Sequence, residues 1–246
     1  MSLPVHAVPS LEGVRAGSEV TVEGDEAHHA VAVRRLRVGE QVVLTDGAGT
    51  SVVGAVSATG KRVFTVAVES VRVEPEPEPA VVVVQALPKG ERGELAVEVL
   101  TEIGVSEIVP WEAARSVTVW KGERATKSLA RWRATAREAA KQSRRMRFPS
   151  VAPLASTGDV VELLGAADLA VVLHEDATGP VAGLDVPAAG RIVVVVGPEG
   201  GLTEDEVAIF VGAGAVCVRL GAEVLRTSTA GVAAVAALLS RTPRWR

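Results

Sequence analysis

The chain has 246 residues, 48% apolar content and a formal net charge of −4, enough for one large domain or two modest ones with a filled core. Its total charge gives no global attraction to nucleic acid or to a membrane surface, so any basic surface must be local. A single cysteine rules out an internal disulfide, and no apolar run reaches the roughly 18 residues that a membrane helix needs.

The opening MSLPVHAVPS lacks a basic segment followed by an apolar one, so a secretory leader is not expected and a cytoplasmic location is. Residues 1–73 read as a small β-rich domain. Runs at Glu19–Val22, Gln41–Leu44, Ser51–Val56 and Val63–Val73 are separated by the turn residues Gly24-Asp25, Asp46-Gly47 and Thr59-Gly60. Between the first two runs, HHAVAVRRLR predicts a short helix or turn presenting Arg34, Arg35 and Arg37. Residues 74–79, EPEPEP, form a stiff linker, because proline withholds backbone donors and the glutamates resist burial.

Residues 80–246 alternate strand and helix: AVVVVQAL, a helix over 91–103, SEIVP, a long helix near 121–145, PSVAPL, DLAVVLHE, RIVVVV, a helix from Glu204, GAVCVRLG, and a last helix over about 227–240. The fold class is therefore α/β with a mainly parallel sheet. Ile192–Val196 has no polar alternation, so both faces of that strand should be covered. Thr203 and Glu206 have the spacing of a capping box, which starts a helix directly behind the Gly197–Gly201 turn. On the long helix, Leu129, Trp132, Ala136, Ala139, Ala140, Ser143 and Met146 fall at core spacing. Residues 121–147 hold ten lysines and arginines against two glutamates, a local net of +8 that reads either as a solvated helix face or as a polyanion-binding surface. Cys217, in the apolar run AVCVRL, reads as a buried thiol.

Several chemistries are excluded by their missing spacings. No Gly-Lys-Ser/Thr follows Gly197, so there is no phosphate-binding P-loop, and Gly212 and Gly214 lack the third glycine of a dinucleotide fingerprint. His6, His28, His29 and His174 have no metal-ligand spacing, and no GxSxG elbow occurs. What remains is three loops, each after an apolar strand: Leu173-His174-Glu175, Gly197–Gly201, and Leu220 onward to Thr227. In a parallel sheet such ends share one edge and converge on a ligand.

GPEGG at 197–201 followed by LGAEVLRTSTA at 220–230 resembles the knotted SPOUT class of RNA methyltransferases, and within it the small-subunit methyltransferase E branch. LPKGERGEL (87–95), TEIGV (101–105), AREAAKQSRRMRFPSV (136–151), and HHAVAVRRLRVGE with LTDGAG in the first domain support that branch. The resemblance implies a PUA-like β-barrel over 1–73 and a trefoil-knotted methyltransferase domain over 80–246. It also implies a homodimer, S-adenosylmethionine as cofactor, and N3 of a uridine in 16S rRNA as acceptor, with no metal and no membrane. Carried over by position, the cofactor residues are Leu173, His174, Glu175, Gly197, Glu199, Gly200, Gly201, Leu220, Leu225, Arg226, Thr227, Thr229 and Ala230.

Arg226 is the expected charge-stabilising residue and Glu199 the expected anchor of the loop. Arg34, Arg35, Arg37, Lys89, Arg144, Arg145 and Arg147 are the expected RNA contacts. The chain departs from the family pattern at Ser228 and Lys141, each where glutamate is usual, and at Val99, where lysine is usual. Two other readings fit the same residues: a non-catalytic ribosome-assembly factor, which Ser228 favours, and a SPOUT enzyme acting on tRNA.

Overall fold

A computed structural model describes residues 3–245. The chain divides into two compact units, Met1–Glu76 with Ala140–Phe148, and Pro77–Ala139 with Pro149–Arg246.

In the first unit, strands β1 (Val5–Ala7), β2 (Glu19–Glu23), β3 (Gln41–Thr45), β4 (Thr50–Thr59) and β5 (Val63–Val73) form one mixed sheet in the order β1-β3-β4-β5-β2. β1 and β3 are parallel and the other neighbours antiparallel. Val42 and Leu44 on β3, and Phe64, Val66 and Val68 on β5, alternate into the core, as the period of two requires. Register shifts beside Gly54 and Ala58 interrupt the β4–β5 ladder, which increases local twist. Gly54 is obligatory there, because a Cβ would overlap the Ala67 carbonyl. HHAVAVRRLR becomes the end of α1 (Gly24–His28) and a π-helical turn, His29–Val33, with Ala27 and Ala30 buried. β1 was not anticipated, since three residues carry too little periodicity to register.

The residues 140–148 depart from the expectation in two ways. The long helix, α3 (Gly122–Gln142), stops before Ser143, so Ser143 and Met146 lie beyond its core stripe. It closes with paired bonds from the Arg144 amide to the Lys141 carbonyl (3.2 Å) and from the Arg145 amide to the Ala140 carbonyl (2.9 Å). In this closure the residue in Arg144's place turns left-handed, normally as glycine; Arg144 has φ +58°. Second, this stretch packs with the β-rich unit instead of the α/β unit. The Met146 carbonyl accepts from the Gly49 amide (3.1 Å) and the Thr45 hydroxyl (3.0 Å), and the Phe148 amide donates to the Gly47 carbonyl (2.8 Å).

Lys141 belongs to a buried charged cluster. Its Nζ sits 2.9 Å from Glu26 Oε2, while His6 Nδ1 lies 3.2 Å from Glu26 Oε1, and all three side chains are largely buried.

The second unit is an all-parallel sheet of β6 (Ala80–Ala86), β7 (Glu107–Trp111), β8 (Ser150–Val151), β9 (Leu169–Leu173), β10 (Arg191–Val196) and β11 (Val216–Val218) in the order β11-β9-β10-β6-β7-β8. Valines 81–84 and 193–195 are almost fully buried. One face packs Val81, Val83 and Val194 against α2 (Arg92–Glu102), α6 (Thr227–Leu239) and the Trp120–Trp132 pair; the other packs Val82, Val84 and Val195 against α4 (Thr157–Gly165) and α5 (Glu204–Gly212). Trp132 is core, meeting Trp120 edge to face at 5.1 Å. α4 adds a helix to the expected order of elements, and Ser156 and Asp159 form the capping box that starts it. Cys217 is half-buried because β11 is an edge strand, and burial still raises its thiol pKa.

Burial alone would raise the Glu26 pKa, but the hydrogen bonds from His6 and Lys141 and the Lys141 charge outweigh it and hold the carboxyl at about 2 instead of 4.5. A depressed carboxylate pKa contributes stability that is complete above the unfolded value, about pH 4.5, and lost as pH falls through about 2. Lys141→Met should therefore lower the stability of the first unit by about 3 kcal/mol in urea titration at pH 7, since it strands a buried charge. The deficit should shrink as the pH drops below 4.5.

Candidate functional site

The strand order places β10 between β9 and β6, so the chain returns inward after β9 and outward again to β11. The carboxyl ends of β9, β10 and β11 therefore lie side by side, and the loops leaving them line a cleft of about 950 Å³. Such a volume holds a nucleoside-sized ligand.

The first wall follows β9. The His174 amide donates to the Val218 carbonyl (3.0 Å), which ties this loop to β11, and His174 Nδ1 accepts from the Asp176 amide (3.2 Å). In the neutral ring the proton then sits on Nε2. The second wall is a turn in which the Gly201 amide donates to the Pro198 carbonyl (3.0 Å) and Gly201 takes φ +70°, a conformation open to glycine at little cost. Glu199 at the tip of this turn accepts from the Lys89 amide (3.0 Å) and lies 3.6 Å from Arg92. Behind the turn, Thr203 and Glu206 form the capping box of α5. The third wall runs from Arg219 to Arg226, where α6 begins. The Arg226 carbonyl accepts from the Thr229 and Ala230 amides and from the Thr229 hydroxyl. Under α6, fully buried Gln85 donates through Nε2 to the Thr227 carbonyl (3.3 Å).

Leu173, His174, Glu175, Gly197, Glu199, Gly200, Gly201, Leu220, Leu225, Arg226, Thr227 and Ala230 all line the cleft. Thr229 does not, its hydroxyl being turned onto the helix start. Ser228 is buried in the first turn of α6 and also lies outside the lining. Sequence reasoning missed Arg92, Arg115, Asp176, Glu204, Arg219 and Glu223, which line the cleft as well. Asp176 and Arg219 adjoin the expected positions Glu175 and Leu220, and Glu223 lies inside the loop from Leu220 to Thr227; Arg115 sits in no motif. The lining combines apolar side chains with carboxylates and guanidiniums, chemistry suited to a ligand that is part flat ring and part charged chain. Among the described residues no group of histidine, cysteine, aspartate and glutamate is placed to hold a metal ion, and no helix is long and apolar enough to cross a membrane.

The expected RNA contacts have mixed fates. Arg34, Arg35, Arg37 and Arg144 are exposed on the first unit, and Lys89 is exposed on the second. Arg145 is half-buried. Arg147, expected at the RNA, is engaged internally: its Nη2 donates to the Glu74 carbonyl (2.8 Å), Nη1 lies 3.8 Å from Glu76, and Nε is buried.

Residues 74–239 match the RNA methyltransferase domain family, and residues 22–69 match the RNA methyltransferase PUA domain. The chain is 46% identical to the ribosomal RNA small subunit methyltransferase E of Mycobacterium bovis over 93% of this chain and 89% of that protein. It is 31% identical to the Bacillus subtilis protein of the same name over 90% of each. Among solved structures, the ribosomal RNA small subunit methyltransferase E of Neisseria gonorrhoeae bound to S-adenosylmethionine superposes with a TM-score of 0.85 at 28% identity, covering 97% of this chain and 98% of that one. The chain belongs to the ribosomal RNA small subunit methyltransferase E family.

Proposed function

We propose that the protein transfers a methyl group from S-adenosylmethionine to N3 of a uridine in 16S rRNA. The carrying observation is the cleft at the ends of β9, β10 and β11, which gathers twelve of the thirteen expected cofactor residues. The Neisseria gonorrhoeae relative holds this cofactor. Leu173, Leu220 and Leu225 form the apolar wall for the flat ring, while Gly197, Gly200 and Gly201 admit close backbone approach. Glu175 and Glu199 add carboxylates at the rim. S-adenosylmethionine, when bound, supplies an electrophilic methyl group.

The chain's own task is to align the acceptor and support its charge. The imide nitrogen of uridine loses a proton on methylation, and negative charge spreads to the two flanking carbonyl oxygens. Arg226, exposed at the start of α6, supplies a guanidinium for those oxygens, and a preorganised cation is the effective way to stabilise developing charge. Glu199 acts as the anchor of the glycine turn through Lys89. Mass spectrometry of 16S rRNA from a deletion strain should show one uridine lacking its N3 methyl group, and an unchanged rRNA would overturn the assignment. Arg226→Ala should lower single-turnover methylation about a hundredfold, with the melting temperature unchanged.

Arg34, Arg35, Arg37, Arg144 and Arg145 on the first unit, with Lys89 on the second, are the RNA contacts in this reading. Two of them stand out by backbone. Among the described residues, Arg35 (φ +57°) and Arg144 (φ +58°) are the non-glycine residues with positive φ. A left-handed L-residue costs about 1 kcal/mol, and such strain persists at sites where the side chain is needed. Arg35→Gly and Arg144→Gly should each leave stability equal or higher, by up to about 1 kcal/mol. Each should also weaken rRNA binding and reduce its salt dependence. Unchanged binding and salt slope would remove both residues from the interface.

The reading includes a homodimer and the trefoil knot. Ile209 and Val211 on α5, Val216 on β11, and Val224 in the cleft loop are exposed apolar residues of the second unit, a pattern that suits a second subunit. The segment after β9 bonds both to the exit of β11, through Arg219 with Gly179 and Val181, and to the end of α6, through Arg241 with Val181 and Leu184. Those contacts suit a clasped C-terminal segment. Ile209→Asp should shift the mass measured by light scattering from dimer to monomer.

A further inference from the structure

The segment after β7 is tied both to the loop after β6 and to the glycine turn with α5 behind it. The Leu87 amide donates to the Trp111 carbonyl (3.1 Å), and the Thr118 hydroxyl donates to the Pro88 carbonyl (2.8 Å), so 111–118 holds the loop after β6. The Ala114 amide donates to Oε1 of the buried Glu206 (2.8 Å), whose Oε2 caps α5. Arg115 Nη1 donates to the Gly200 and Leu202 carbonyls, both at 3.2 Å. The circuit closes where Glu199, in the same turn as Gly200, accepts from the Lys89 amide beside Pro88.

We propose that Arg115 is a positioning residue that holds the glycine turn in its cofactor-binding form, as the keystone of this closed circuit of three loops. The backbone packing agrees. A Cβ on Gly200 would come within 3.1 Å of Arg115 Cβ and 3.3 Å of its carbonyl oxygen, so the loop and its brace lie in close contact. The Gly200 and Leu202 carbonyls both accept from the single Nη1 nitrogen, whose two N–H groups join the two sides of the turn's exit through one side chain. Glu199 and Gly200 occupy the two corner positions of the Pro198–Gly201 turn. One corner is thereby fixed to the β6 loop by its carboxylate and the other to the β7 segment by its carbonyl. Loops that a site depends on need such outer support to stay in productive geometry.

This inference rests on S-adenosylmethionine occupying the cleft, so calorimetry of the wild-type chain with that cofactor comes first and tests the reading by itself. Given binding, Arg115→Ala should weaken cofactor affinity roughly tenfold and raise the KM for the cofactor more than it lowers kcat. Arg115→Lys should recover only part of the loss, since the lysine nitrogen stands one atom nearer the backbone than Nη1 and falls short of the two carbonyls. Hydrogen exchange should quicken at 200–202 and not in the sheet. Thr118→Val, which opens the circuit elsewhere, should weaken binding too, and the double variant should lose less than the sum of the two. Arg133→Ala removes a guanidinium that donates to the Val151 carbonyl, outside the cleft lining, and should change cofactor affinity by less than twofold. Cofactor affinity within twofold of wild type in Arg115→Ala, or strictly additive losses, would overturn the proposal. If Arg115→Ala does not fold, Arg115→Lys and Thr118→Val decide by the same affinity and exchange readouts.

Discussion

A parallel strand buried on both faces leaves its polar backbone available for function only at its ends, and the second unit is organised by that constraint. The valine runs of β6 and β10 are covered by helices on each side, so nothing along their length can meet a polar ligand. The chain meets this limit by bringing β9, β10 and β11 together at one edge and placing glycines, caps and charged side chains in the loops that leave them. The cleft follows from strand order as much as from residue chemistry, because a β11 inserted elsewhere would remove its third wall.

Charge is distributed on a different principle. The chain is acidic overall, yet residues 121–147 are strongly basic, and the structure divides that basic stretch between exposed side chains and internal ones. Lys141 neutralises Glu26, Arg147 serves the Glu74 carbonyl, and Arg133 serves the Val151 carbonyl. A count of positive residues therefore overstates the surface offered to RNA. Arg35 and Arg144 are different in kind, since each is exposed and each occupies a backbone conformation that glycine would adopt at lower cost.

Much of this architecture was legible in the sequence where a physical signal was dense. Unbroken β-branched runs located β6 and β10, the Thr203–Glu206 spacing located α5, and the three loops after strands do line one cleft; the individual residues expected in it came from the family resemblance. Signals that depend on distant partners were not legible. β1 is too short to show periodicity, and the end of α3 depends on Arg144 accepting a left-handed turn. Arg115 has no local motif because its partners lie 85 and 87 positions away. α4 is a different case, since its Ser156–Asp159 box is a local signal lying between two strand-like runs.

The residues 140–148 have a consequence for how the protein is made. The β-rich unit is discontinuous in sequence, needing a piece that follows the linker by more than sixty positions. During synthesis from the N-terminus, Glu26 and the Thr45 hydroxyl are in place long before Lys141 and the Met146 carbonyl exist to meet them. Domains generally fold in order of emergence, but here the first unit waits for a helix belonging mostly to the second. The proline-rich linker is thus a boundary along the chain without being a boundary in folding, and a fragment cut there would release a β-sheet unit lacking one of its own parts.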